Sequence, residues 1–269
     1  MKRAFSLLIV ALALAPFSLS LAMAPAPKLL DIAVLQEKIN TDLVKLDTEL
    51  AAAAKALSTT GLQGNDAARL LQSIYENNSS VATAATIGLD GTLLLIQPAS
   101  FKNAEGENIS SQSHFARLKK SQQPVLSGIF KTVEGFYAVS LAYPVFTANN
   151  KVLGFVSVVF KPDALMRKSV QDYLADFSSV EVTAIEQDGL IIYDKDIQQI
   201  GRQTFSDPLY RSYAELLALV NRITSEATGT GTYSFPPRIG AAPIKKSSQW
   251  TTIGLHGTDW RLIVSQGVN

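Results

Sequence analysis

Residues 85–96 read ATIGLDGTLLLI, and residues 182–193 read VTAIEQDGLIIY. In both, an apolar, β-branched run enters an Asp-Gly pair and leaves on a second apolar run, the signal of a hairpin closed by a two-residue turn. Asp90-Gly91 and Asp188-Gly189 stand 98 residues apart, and the same order of elements follows each. After the first come a polar loop, a short helix at 113–120, and strands at 124–131, 136–146 and 152–160, with turns at Glu134-Gly135 and Asn149-Asn150. After the second come a helix at 208–223 and strands at 231–235, 248–254 and 259–265, with His256-Gly257 near the last turn. A repeated order of this kind predicts two copies of one α+β unit, although a single large α+β domain would read similarly. Pro162 opens a linker helix between them, with Leu165, Met166, Val170, Tyr173 and Leu174 on one face.

Upstream, Leu29, Ile32, Leu35, Ile39, Leu43, Leu46, Leu50, Ala53, Ala54 and Leu57 recur three or four residues apart, a helical period that runs to Gly61. A helix of about 30 residues is about 45 Å long, so it must lie along more than one packed unit or pair with a second helix. Asp66 is the expected cap of a following helix that ends at Asn77-Asn78.

The first 22 residues carry Lys2 and Arg3, then an uncharged apolar run, with Ser20 and Ala22 at signal-peptidase spacing. A signal peptide at 1–22 is expected, with an uncleaved anchor as the alternative, and the rest of the chain is expected in the periplasm or outside the cell. The 269 residues hold 24 Lys+Arg, 23 Asp+Glu, two His and no Cys. That balance gives no basic footprint for nucleic acid, and the missing Cys removes disulfides, thiolate metal sites and cysteine nucleophiles. Motifs for nucleotide-binding loops, zinc proteases and serine hydrolases are absent. No catalytic residue, metal or cofactor is expected.

The long helix, the IGLDGTLLL hairpin, SHFARLKKSQQPVLSGIF (113–130), LAYPVFTANNKVLGFVSVVF (141–160), EQDGLIIYDKDIQQIG (186–201) and LHGTDWRLIV (255–264), in this order, resemble the double Cache family of extracellular sensors. The resemblance implies a long N-terminal helix carrying two PAS-like antiparallel-sheet subdomains in tandem. On this reading 27–78 is the helical stalk, 79–165 the membrane-distal type of subdomain and 166–269 the membrane-proximal type. The chain resembles a free-standing member without a transducer domain. It lacks the Arg-x-Trp of amino-acid-binding members, and Val159 stands near the place of their ammonium-binding Asp.

The resemblance further implies a distal pocket between sheet and helix, bordered by His114, Phe115, Arg117, Ser127, Phe130, Tyr137, Ser140, Tyr143, Phe155 and Ser157. Phe136 is implied at the same pocket, and Lys131 is the alternative to Arg117 as the partner of a carboxylate. Arg117 suits a carboxylate, which makes a small organic anion one candidate ligand, and His114 suits sensing of protons. Core packing is the competing explanation for each of these residues. In the second half, Tyr193, Asp194, Asp196, Arg202 and Tyr210 cluster near the hairpin, with Asp194 and Asp196 expected on opposite strand faces or in a solvated turn. Trp260 is expected in the core. The expected function is recognition of a small molecule, reported to a membrane receptor or through a homodimer of the N-terminal helix. The alternative is a structural or interaction protein of the envelope that keeps the fold without a ligand.

Overall fold

The computed structural model describes residues 31–175, 180–237 and 241–268. The expected signal peptide (1–22) and the first residues of the stalk lie outside the described residues. Helix α1 spans Ile32–Thr60, 29 residues, and begins where the Asp31 side chain accepts the Ala33 N–H at 2.9 Å. It ends at Gly61. Helix α2 spans Asn65–Asn77, with Gly64 rather than Asp66 at the cap position. Asp66 sits in the first turn and pairs with Arg69 instead, one turn on at the exposed surface.

Two antiparallel sheets follow. The first contains β1 (Val81–Ile87), β2 (Leu93–Gln97), β3 (Val125–Leu126), β4 (Phe130–Lys131), β5 (Tyr137–Phe146) and β6 (Val152–Phe160) in the order β2-β1-β6-β5-β3, with β4 also on β5. Helix α3 (Ser113–Ser121) covers one face, and α4 (Pro162–Ala175) leads to the second sheet. That sheet contains β7 (Val180–Glu186), β8 (Ile191–Asp194), β9 (Gly229–Phe235), β10 (Ile244–Leu255) and β11 (Thr258–Gly267) in the order β8-β7-β11-β10-β9, with α5 (Ala214–Ser225) against it. The strand orders coincide when β1, β2, β5 and β6 are matched with β7, β8, β10 and β11. The chain is thus a mixed α and antiparallel-β structure: a long N-terminal helix and two like-wound sheets in tandem.

The repeated turns share their chemistry. Gly91 (φ 94°) and Gly189 (φ 89°) take the left-handed backbone that a side chain resists. The preceding Asp90 and Asp188 carboxylates accept the Thr92 and Leu190 amides at 3.0 Å. Strand candidate 124–131 is instead two short pieces, because its middle serves the other unit. The Leu126 carbonyl accepts the Thr258 hydroxyl at 2.5 Å, and the Ile129 N–H donates to Glu186 at 2.8 Å. The predicted helix at 208–223 begins only at Ala214; Asp207 accepts the Leu209 amide and holds the preceding stretch in turns.

One core joins the units. Leu35, Ile39, Leu43, Leu46, Leu50 and Leu57 of α1 are buried in a cluster that also contains Val139, Leu141 and Val145 of β5 and Ile253, Trp260 and Leu262 of β10 and β11. Polar ties reinforce the helix on both sides. Gln36 donates to the Thr252 carbonyl at 2.8 Å, and Asp47 takes the Tyr143 hydroxyl at 2.7 Å and His256 Nε2 at 2.6 Å.

Candidate ligand site

In each unit the face of the sheet away from α1 meets a helix, α3 in the first and α5 in the second. Alternation along β5 decides which expected site residues reach the first of these faces. Ser140 shares the face of Ala142, whereas Tyr143 joins Val139, Leu141 and Val145 on the α1 side, where its hydroxyl is bound to Asp47. Tyr137, at the start of β5, is 68% exposed. Neither tyrosine belongs to a pocket under α3.

The other expected residues do converge, but on packed surroundings. Phe115 meets Phe155 edge to face at 5.3 Å within a buried cluster that includes Ala85, Ile87, Leu93, Ile96, Leu118, Val125 and Ala142. His114 is buried against the Phe130 ring at 4.4 Å. Desolvation, helped by the nearby Arg117 charge, lowers its pKa to about 4, so it is neutral at physiological pH. Arg117 donates to the Leu126 carbonyl and, at 3.3 Å, to Thr258 of the second unit. Its guanidinium therefore ties the units together. The Ser127 hydroxyl donates to the Gly128 carbonyl at 2.6 Å and accepts the Ser140 N–H at 2.8 Å. Ser140 and Ser157 are buried on the sheet.

The second unit holds an open cavity of about 420 Å³ between its sheet and α5. Its apolar wall is Ile185, Ile191, Leu216, Leu219, Val220, Ile223 and Ile263, and Tyr210, Tyr233, Phe235, Pro236 and Pro237 form the rim and side. Polar groups enter from the sheet: Glu181 and Thr183 on β7, Lys246 and Ser248 on β10, Ser265 on β11 and Asp194 at the end of β8. Apolar walls with a few converging polar groups are what small-molecule sites are made of.

Register shows where the second face gains a charge that the first does not have. Thr83 and Ala85 of β1 lie opposite Val159 and Ser157, just as Glu181 and Thr183 of β7 lie opposite Ser265 and Ile263. Ser140 pairs with Val159 as Ser248 pairs with Ser265. The lattice position that holds Thr83 in the first unit thus holds a carboxylate in the second, and that of Val159 holds a hydroxyl. The 98-residue offset puts Glu181 on Thr83 and Thr183 on Ala85; this was the available signal for Glu181 and Thr183, which the sequence reading passed over. Lys246, Ser248, Tyr233 and Ser265 gave no comparable local motif.

The polar groups are linked. Lys246, 2% exposed, puts its ammonium 2.6 Å from Glu181 and 5.7 Å from the Phe235 ring centroid. Ser248 and Ser265 hydroxyls are 2.6 Å apart, and the Tyr210 hydroxyl donates to Gln199 Oε1. Asp194 accepts the Thr183 hydroxyl at 2.9 Å and the Asp196 N–H at 2.8 Å. That Asx turn ends β8 and brings Asp194 and Asp196 to the same cavity rather than to opposite faces. Burial raises the Asp194 pKa to about 6, against the lowering effect of its two hydrogen bonds, and the Glu181 and Asp196 charges add to the rise. Arg202 lies to one side, paired with Asp207 at 2.9 Å. Tyr193 belongs to the core shared with α1.

Residues 41–162 match the family described as HK/GC/chemotaxis protein-like, sensor domain. The comparison with curated proteins found no match. Among solved structures, an extracellular ligand binding receptor from Desulfohalobium retbaense superposes with a TM-score of 0.73 and 33% identity over 87% of this chain, which spans 39% of that one. The ligand-binding domain of the Pseudomonas aeruginosa amino acid chemoreceptor PctB, solved with L-Gln, gives 0.57 and 15% identity, covering 87% of both chains. The sensory domain of the Campylobacter jejuni chemoreceptor Tlp3, with isoleucine bound, gives 0.60 and 10% identity, covering 88% of this chain and 89% of that one. At such identities the two chemoreceptor domains share the fold with this chain.

Proposed function

We infer that this chain, which has the double Cache sensor fold and matches the HK/GC/chemotaxis sensor domain over residues 41–162, is an extracytoplasmic small-molecule recognition module whose ligand site is the cavity of its second unit. The observation that carries this reading is the 420 Å³ space under α5, with its buried Lys246 and partly buried Asp194. Buried ionisable groups lose hydration, and a packed protein keeps them at a cost that a ligand can offset. The first unit, filled by Phe115 and Phe155, serves in this reading as the body that α1 holds against the second. The chain acts by binding rather than by catalysis. Its state is passed on through protein contacts, to a membrane receptor or to a second copy along α1. The leader-like residues 1–22 and the likeness to the extracellular ligand binding receptor of Desulfohalobium support a place outside the cytoplasm. Among the described residues no helix is long and apolar enough to cross a membrane.

The test is a thermal-shift screen against carboxylates, amino acids, amines, purines and sugars. A ligand at 100 times its Kd adds about 2.7 kcal/mol of stability, enough to move the midpoint by several degrees. One chemical class is expected to give a concentration-dependent rise. A flat response across the panel contradicts the reading and favours a structural role in the envelope.

A further inference from the structure

The cavity has a charge imbalance that selects among ligands. Its buried cation already has an anion: Lys246 is held by Glu181 at 2.6 Å. Asp194 has no such partner. Among the described residues it pairs with no cation, and its two hydrogen bonds come from the neutral Thr183 hydroxyl and the Asp196 amide. The ionisable groups around it are Glu181 from β7, Lys246 from β10, Tyr233 from β9, Tyr210 from the segment before α5, and Asp196 and Lys195 from its own loop. Lys195 is exposed. The lining therefore carries Glu181, Asp194 and Asp196 against Lys246 and Lys195, one carboxylate in excess. Among the described residues no group of three or more His, Cys, Asp or Glu could hold a metal ion. The rest of the lining is neutral: Thr183, Gln199, Thr204, Ser248 and Ser265 beside aliphatic and aromatic walls, and a ring face attracts a cation.

Resting on the proposed ligand site, we propose that its occupant is a small organic cation, an amine with an apolar body, whose ammonium sits against Asp194 and whose body lies on Ile185, Ile263, Leu219 and Val220. An ammonium there adds a charge-assisted hydrogen bond to the two neutral ones that Asp194 already accepts. Because burial already raises the Asp194 pKa to about 6, the amine binds the ionised form and releases a proton on binding below that pH. Affinity then falls as pH drops.

The experiment is calorimetric titration of the intact chain with 3-methylbutylamine, the matched acid 4-methylpentanoate and the matched alcohol 3-methylbutan-1-ol. The amine is expected to bind about tenfold more tightly at pH 7 than at pH 5, and the acid and alcohol are expected not to bind. Asp194→Asn, which keeps the shape of the side chain, is expected to weaken amine binding at least tenfold and to flatten its pH profile. Amine binding that is indifferent to pH and to Asp194→Asn overturns the proposal. Binding of the acid or alcohol, blocked by the cavity-narrowing Val220→Phe, overturns the ligand class while the site stands. If none of the three binds, the amine class fails here, and the wider screen then decides the site. Equal binding of any probe to Val220→Phe and to the unaltered chain overturns the site itself.

Discussion

His114, buried, and Asp194, partly buried, are titratable groups with opposite consequences for stability. Burial holds His114 neutral, with its pKa lowered from 6.5 to about 4. The unfolded chain takes up a proton near pH 6.5 that the folded chain refuses, so this contribution is complete above pH 6.5 and is lost as pH falls toward 4. Asp194 runs the other way. Its pKa is raised from 3.8 to about 6, so its ionisation costs stability as pH rises from about 4 to 6. Asp194→Asn should therefore stabilise the chain by about 1–3 kcal/mol at pH 7, with the gain vanishing near pH 4, as read by denaturant unfolding at a series of pH values. His114→Phe should remove the acid-side loss, leaving the Asp194 trend exposed between pH 6.5 and 4. A variant that unfolds with the same pH profile as the parent contradicts the assignment for that residue. Only part of this was legible in the sequence. Position 114 was noticed, as a proton-sensing ligand contact or a core residue; its burial and the Phe130 ring beside it are tertiary facts that no local pattern encodes.

At the scale of elements, the turns were the most legible features. Asp90-Gly91 and Asp188-Gly189 form the expected turns, and His256-Gly257, with φ of 51° and 79°, closes the β10–β11 hairpin. What escaped was how each helix sits on its sheet. Helix α3 drives Phe115 into the sheet, where it fills the space beside Phe155. Helix α5 stands over Thr183, Ser248 and Ser265, whose small polar side chains leave room. The end of α5 is fixed by Arg261, buried on β11, which donates to the Ile223 and Glu226 carbonyls at 3.1 and 3.0 Å. These are last-turn carbonyls that lack helical partners, and a cation there also meets the negative end of the helix dipole. Trp250 adds an indole N–H to Glu226 at 3.3 Å. Because Trp250 still serves the Glu226 carbonyl, Arg261→Leu strips the Ile223 carbonyl of its side-chain donor; it should cost about 1–3 kcal/mol and should increase amide exchange in α5 first. Unchanged exchange in α5 would show that the helix is held by its apolar face alone.

For the whole molecule, the long helix was predictable from its apolar spacing, including the need to run along more than one unit. The continuity of the core was not. Two repeated halves suggest two domains, yet Leu43 and its neighbours share one buried cluster with both sheets. Arg117, Thr258, Glu186 and Ile129 add polar ties across the junction. Leu43→Ala should cost about 2–5 kcal/mol and lower the midpoint of a single calorimetric transition, both units melting together. Two separated transitions would contradict a shared core.

The central claim is that the ligand is held in the second unit. Its most direct measurement is amide hydrogen exchange with and without the compound that gives the largest thermal shift. The account predicts added protection in α5, in β9 and around Asp194, with the α3 region unchanged. Protection concentrated in α3 and along β5 instead would place the ligand in the first unit and contradict the account.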